Sequence, residues 1–283
     1  MATAGSLISN MVKVFGDPDQ DFMTDAHALN WLDRAQRRFC HKVLPLDEHQ
    51  DFAVVANQTR YDLATDVIIP VLVMWYKSRT TKLEYTTPDL WYRVEEAHPS
   101  ATGTPERYTV IRRQLTVGPQ RPTTASGTAN ASGAIQASNT TFSVVSVTNL
   151  RSRGFIKINS EVMEVKSTSG TTLTVTRGVH GTTAASHASA DTVTQMDLIM
   201  LYRKTPAVMS ATTTSPDIPA AFHDYLEKYA LYLGWLAQGN TEKASAAMGE
   251  FQEYEDWAVK TIGRRAQDGL LHIQEKRHQW RGW

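Results

Sequence analysis

Apolar residues at Leu7, Ile8, Met11, Val12 and Phe15 keep the three-and-four spacing of one helix face, and the turn-forming run Gly16-Asp17-Pro18-Asp19 ends it. A second stripe, Ala28, Leu29, Leu32, Ala35, Phe39 and Val43, predicts a longer helix that Thr24 or Asp25 caps and that closes before Pro45. The period then drops to that of strands. Phe52 to Val55, Thr59 to Leu63, Val67 to Tyr76 and Lys82 to Tyr85 are rich in β-branched and aromatic residues, with turns at Asn57-Gln58, at 64–66 and at 77–80. These runs predict an antiparallel sheet, followed by a loop from Ala97 to Pro105.

Tyr108 to Pro122 reads as a strand that stops and resumes at Gln195 to Pro206. Between them, Thr123 to Thr194 opens on an Ala/Ser/Thr/Gly/Asn-rich link and continues as alternating runs at Thr141 to Val147, Gly154 to Ile158, Glu161 to Lys166 and Thr171 to Arg177. Ser169-Gly170 supplies a hairpin turn between the last two. The pattern predicts an inserted small β-barrel or sandwich that folds by itself, with its two ends close together. Arg177 is placed to hold the following loop by bonding carbonyls or a carboxylate, and Gly178 and Gly181 allow tight turns there.

After the insert, Pro219 suits a first-turn position, and Phe222, Tyr225, Leu226, Tyr229, Leu233 and Leu236 share one face of a helix that Gly239-Asn240 closes. Thr241 caps the next helix, striped by Ala244, Met248, Phe251, Tyr254, Ala258 and Ile262, so the two form an antiparallel hairpin. Gly263 then releases a basic tail from Arg264 to Trp283. In that tail Leu270, Ile273 and Trp280 fall near one helical face. Leu271 and Trp283 add apolar surface that a free tail has no reason to carry.

Composition narrows the function more than the fold. The 283 residues hold 29 basic and 29 acidic side chains, so no overall field holds nucleic acid or an anionic membrane. No apolar run approaches the ~20 residues of a membrane span. The first fifteen residues lack the parts of a secretion signal. These features predict a soluble protein, intracellular when made. The single Cys40 forms no internal disulfide and sits beside Phe39 as a buried or half-buried thiol with no base to activate it. His180 and His187 have no third ligand in sight for a metal, and the absence of Gly-rich phosphate loops and GxSxG turns predicts no enzyme and no cofactor. The basic run on the second helix, Arg34, Arg37 and Arg38 with His41 and Lys42, is either a solvated face or an intersubunit or channel surface.

Two resemblances rest on these residues. Phe155 to Val165 and Leu173 to Thr182, with 184–187 after them, are similar to a small β-module that recurs in phage tail and baseplate proteins. The rest of the chain carries Leu32-Asp33-Arg34-Ala35-Gln36, Asn57-Gln58-Thr59-Arg60-Tyr61-Asp62-Leu63, a strand pair ending at Gly118-Pro119 and Leu201-Tyr202-Arg203-Lys204, Asp217 to Leu226, Ala230 to Gly234 and Glu242-Lys243-Ala244. In that order the set resembles the phage head-to-tail connector, or adaptor, family.

The resemblance implies an α+β fold with a helical adaptor core (N-terminal helices, small antiparallel sheet, C-terminal hairpin) split into 1–122 and 195–263, the β-domain 123–194, and an extended portal-docking tail at 264–283. It implies a structural ring, commonly dodecameric, in the virion neck between capsid and tail. The ring docks on the portal and extends the DNA channel, which DNA crosses without tight binding. Its partners are the portal, tail or nozzle proteins, fibres through the insert, and other copies of the chain. The portal contacts implied are Arg264, Arg265, Leu270, Leu271, Ile273, Arg277, Trp280 and Trp283, and Arg34, Arg37 and Arg38 face the channel or a neighbour. Rival readings are a tail-fibre or baseplate adhesin that uses the insert, and a cell-wall hydrolase.

Overall fold

The computed structural model describes the backbone of all residues except 1–2, 18, 44–45, 78–79, 98–100 and 280–283, and the side chains of those residues apart from 94–97 and 262–279. In chain order the elements are α1 (Ala4–Phe15), α2 (Asp25–Val43), β1 (Asp47–Phe52), β2 (Arg60–Asp62), β3 (Val67–Trp75), β4 (Thr81–Lys82), β5 (Glu84–Tyr85), α3 (Pro88–Ala97), β6 (Arg107–Ile111), β7 (Gln114–Gly118), β8 (Thr128–Asn130), β9 (Thr141–Ser143), β10 (Gly154–Ile158), β11 (Glu161–Ser169), β12 (Thr172–Thr176), β13 (Thr192–Met196), β14 (Leu198–Lys204), α4 (His223–Ala237) and α5 (Thr241–Gln279). The fold is α+β. Two compact units divide the chain: Met1–Leu46 with Arg203–Trp283, and Asp47–Tyr202.

The first unit is helical. Thr3 caps α1 by accepting from the Ser6 N–H, and Gly16, with φ 79°, closes it in the left-handed conformation that glycine adopts without strain. Asp17 then accepts from the N–H groups of Met23, Phe22 and Asp21, which hold its carboxyl below the ordinary range and shape the turn into α2. Thr24 takes the cap of α2 by accepting from the His27 N–H. The stripe predicted for α2 is buried apart from the half-buried Leu29, and Trp31, Gln36 and Cys40 extend it. Gly234 lets α4 approach closely, since a Cβ at that position would lie 3.1 Å from Trp31 and 3.2 Å from Phe15. Phe15 stacks on Trp235 at 3.9 Å, and Phe39 packs on Phe222 and Tyr225. Buried side chains of this size contribute about 1.5–3 kcal/mol each relative to exposure.

The helical hairpin closes with a Schellman arrangement. Gly239, at φ 82°, donates to the Leu236 carbonyl and Asn240 donates to that of Trp235. The side chain of Asn240, not of Thr241, caps α5 by accepting from the Lys243 N–H at 3.1 Å. The backbone does not leave the helix at Gly263 either, because α5 continues to Gln279. A lone glycine costs a helix only about 1 kcal/mol, and the residues after it, Arg264-Arg265-Ala266-Gln267, are good helix formers.

The second unit is built on strands. The sheet region comprises two four-stranded sheets, ordered β1-β14-β3-β4 and β2-β7-β6-β5, around one core that includes Phe52, Tyr61, Val73, Trp75, Leu115, Val117, Leu198 and Met200. One pair, β5 with β6, is parallel. The expectation of a single strand broken at Pro122 and resumed at Gln195 is corrected here. The first part is a hairpin, β6 and β7, reversed at Arg112 and Arg113, both at positive φ, and β14 lies in the other sheet. Neither arginine is a usual turn residue, so the reversal leaves no composition signal. Helix α3 fills the stretch between the strand run ending at Tyr85 and the loop expected from Ala97, to which the sequence pattern assigned no element. Pro88 sits at its first position, the Trp91 N–H donates to the Thr87 carbonyl, and Trp91 is buried against Gly118.

Residues 128–196 form a six-stranded antiparallel sheet, β8-β13-β10-β11-β12-β9. It curls until its edge strands meet through the Ala131–Val144 bridge, with Val145 donating to Asn130 and Ser132 donating to Ser143. The result is a small barrel with its own core, in which Ile135, Ile156, Ile158, Met163, Leu173 and Val193 are buried. The β11–β12 turn is Gly170-Thr171, with Ser169 opposite Thr172. The barrel's ends meet, since Gln195 donates to the Gly127 carbonyl at 2.8 Å and Thr128 pairs with Thr194.

Candidate functional site

In the helical unit, α2 clasps the segment that leads into α4. The buried Gln36 donates to the Ala207 carbonyl at 3.0 Å and accepts from the Asp217 N–H at 2.8 Å. One turn earlier Asp33 accepts from the Met209 N–H and from Arg37. Asp217 completes the clasp by accepting from the Ala207 N–H at 2.6 Å. Two stretches 171 to 181 positions apart in sequence therefore form one hydrogen-bonded joint.

The basic residues of α2 divide into two groups. Arg38 donates to Glu255 at 3.4 Å and lies over the rings of Tyr229 and Phe251, while Lys42 reaches Glu255 at 2.6 Å. Glu255 is buried, so these two cations tie α2 to α5. Arg37 pairs with Asp33, and Arg34 is exposed with no partner among the described residues. Cys40 is fully buried, and burial followed by the nearby Asp217 carboxylate pushes its thiol up to about 12. A thiol so raised is not a nucleophile at neutral pH.

In the strand unit, the loop after β12 is organised around Glu161, which is fully buried. Arg177 donates to it bidentately, from Nε and Nη2, each at 2.7 Å, and also donates to the carbonyls of Gln136, Asn139 and Ala185. The same carboxylate accepts from the N–H groups of Gly178 and Ala185 and lies 2.8 Å from His187 Nε2. Burial alone would raise this carboxyl; Arg177, the Ala185 N–H and His187 outweigh it and hold it at about 2. The arginine thus does what its position predicted, with carbonyls and a carboxylate together.

A second cluster joins the barrel to the sheets of the same unit. Asp197, buried between β13 and β14, takes Arg151 at 2.7 Å and the Ser126 hydroxyl at 2.7 Å. Ser126 and Val54 exchange hydrogen bonds, and Lys77 donates to the carbonyls of Thr124 and Ala125. On the other side of the joint His180 meets Asp51 at 2.8 Å, with its ring stacked on His49 at 4.3 Å and tilted against Phe155. His180 and His187 are engaged by separate carboxylates. No group of three or more metal-ligating side chains converges among the described residues.

A family model for the SU10 adaptor protein matches residues 2–272, nearly the whole chain. The chain belongs to the SU10 adaptor protein family. Membership supports a phage-adaptor role, and the family is a structural one, not known to be enzymatic. No curated protein matches it. No helix among the described residues is long and apolar enough to cross a membrane.

Of the residues singled out in sequence, this SU10-family adaptor brings Arg34, Arg37 and Arg38 onto one helix but gives them different surroundings. Arg264, Arg265, Leu270, Leu271, Ile273 and Arg277 fall on the helical backbone of α5, their side chains outside the described residues; Trp280 and Trp283 lie outside them altogether. Sequence reasoning missed the Gln36 clasp and the Asp197 joint. Asp197 did carry a signal, as a lone acid within the apolar run Met196 to Leu201.

Proposed function

We propose that this phage adaptor assembles as a ring, dodecameric in the family's common form, that docks beneath the portal in the neck and continues the DNA channel towards the tail. Family membership across residues 2–272 is the observation that carries this reading. The rest supports it by physical argument. The helical unit has its own core and a clasp that fixes α2 to the α4 approach, which suits an element that must pack repeatedly against copies of itself. Residues 264–283 are the portal-facing segment. As sixteen helical residues, 264–279 reach about 24 Å, and the excess of Arg264, Arg265, Lys276, Arg277 and Arg281 over Asp268 and Glu275 favours an acidic groove. Many weak tails on one ring bind strongly together.

The insert, residues 123–194, which holds most of the barrel, is the contact for tail or nozzle proteins or fibres, and it folds as a module of its own. Mass measurement of the full chain, alone and with portal, tests the ring. Truncation after Gly263 should leave a folded protein that no longer joins portal, and normal association of the truncated chain would refute the role given to the tail.

A further inference from the structure

We propose that the outward face of α5, Glu250, Glu253, Tyr254 and Trp257, receives the outward face of α2, Arg34, Arg37 and His41, of a second copy of this chain. The proposal rests on the ring reading above and adds which surfaces meet.

Two stripes carry it. On α5 the four residues follow i, i+3, i+4 and i+7, so they stand together on the side away from Phe251, Glu255 and Ala258, which are buried. Trp257 is 51% exposed, and Tyr254, which the sequence pattern assigned to the apolar stripe, is 45% exposed, although Trp257 packs tilted on Phe222 and Tyr254 meets Tyr225 edge-on. With Ala221 the four line a shallow cavity of about 570 Å³. On α2 the three basic residues follow i, i+3 and i+7, opposite the buried Ala28, Leu32, Ala35 and Phe39. Both stripes span eight residues, about 10 Å of helix from first to last.

Their chemistry is complementary. Glu253 and Arg34 are both exposed, and neither has an ion-pair partner among the described residues. Among the described residues Glu250 pairs with Lys228, a weak surface pair, and Arg37 pairs with the largely buried Asp33 while its own side chain stays 43% exposed. Exposed Trp and Tyr are the residues that anchor interfaces, and an arginine plane stacks on their faces while an acidic rim fixes its charge. Within one chain the seam between α2 and α5 is already filled by Arg38, Lys42 and Glu255. The two outward stripes are therefore left for neighbours. Two different faces meeting make a head-to-tail contact, the kind that closes into a ring.

The test is the assembled fraction of the full chain by mass photometry, alone and with portal, for Arg34→Glu, Glu253→Arg and Trp257→Ala. Both charge swaps are at exposed positions, and circular dichroism checks that each variant is folded. Each variant should lower assembly by at least about tenfold. Mixing Arg34→Glu with Glu253→Arg in equal amounts should restore it, because every contact in an alternating ring then regains opposite charges. Rings that persist in both single variants, or a mixture that fails to recover, would overturn the pairing while leaving the ring intact. A wild-type chain that stays monomeric even with portal would overturn the ring and this pairing together.

Discussion

Arg177 and Glu161 meet through two parallel hydrogen bonds of 2.7 Å in the interior of the barrel, sixteen residues apart in sequence. The pair does more than neutralise two charges. The arginine's remaining donors reach three carbonyls of two loops, and the carboxylate's remaining acceptor sites take two backbone N–H groups, so one ion pair fixes the chain from Gln136 to His187.

Removing either partner leaves a buried, uncompensated charge. Arg177→Ala should therefore cost about 3–5 kcal/mol of unfolding free energy, read by urea titration. Arg177→Lys should recover only part, since one ammonium cannot serve both oxygens and three carbonyls. A loss below about 1 kcal/mol would mean that the pair behaves as a surface salt bridge.

The same carboxyl sets an acid limb. Glu161 is held at about 2 in the folded chain, against about 4.3 when unfolded. The unfolded state thus binds the proton first as pH falls, and the stabilisation is complete above about pH 5 and lost towards pH 2. Thermal scans between those values should show a falling midpoint, and Glu161→Gln should flatten that slope while lowering stability at pH 7.

The α2 clasp has a different weakness. Gln36→Leu keeps the side-chain volume but leaves the Ala207 carbonyl and the Asp217 N–H without their partner. An unsatisfied buried group costs about 1–3 kcal/mol, so the midpoint of helix unfolding, followed by circular dichroism, should drop accordingly. Gln36→Glu keeps the acceptor but buries a carboxylate against the Ala207 carbonyl, so at neutral pH it should cost at least as much as Gln36→Leu.

Gly127 faces a backbone it nearly touches, since a Cβ there would fall 1.4 Å from the Asn149 carbonyl oxygen. Gly127→Ala should shift the 127–128 backbone away from Gln195 and destabilise the barrel by at least about 1–3 kcal/mol. Faster hydrogen exchange at the Gln195 N–H, which donates to Gly127, is the local readout.

DNA should pass without being gripped. With 29 cations against 29 anions overall, and with Arg37 and Arg38 already paired, few counterions are released on phosphate contact. Fluorescence anisotropy with duplex DNA at physiological salt should give no sub-micromolar binding, and a tight complex there would make Arg34 the first residue to test.

The sequence by itself determined whatever depends on near neighbours. Helices α1, α2, α4 and the start of α5 follow from apolar spacing, with Thr24 capping α2 and Gly239 closing α4, because a helix writes its buried face every third or fourth residue. The alternation in 141–177 marked most barrel strands for the same local reason, and it placed Arg177 at a loop that needed a donor. The tertiary structure decided the rest. The reversal at Arg112-Arg113 carried no turn signal and α3 no clear pattern, and packing of the strands and of Trp91 fixed them. That β14 pairs in one sheet and β7 in another, that Gln36 holds Asp217, and that Asp197 joins Ser126 and Arg151 are long-range choices. A polar residue in sequence shows only that it needs a partner. Which partner it finds is fixed when the chain closes and burial makes an unmet hydrogen bond costly.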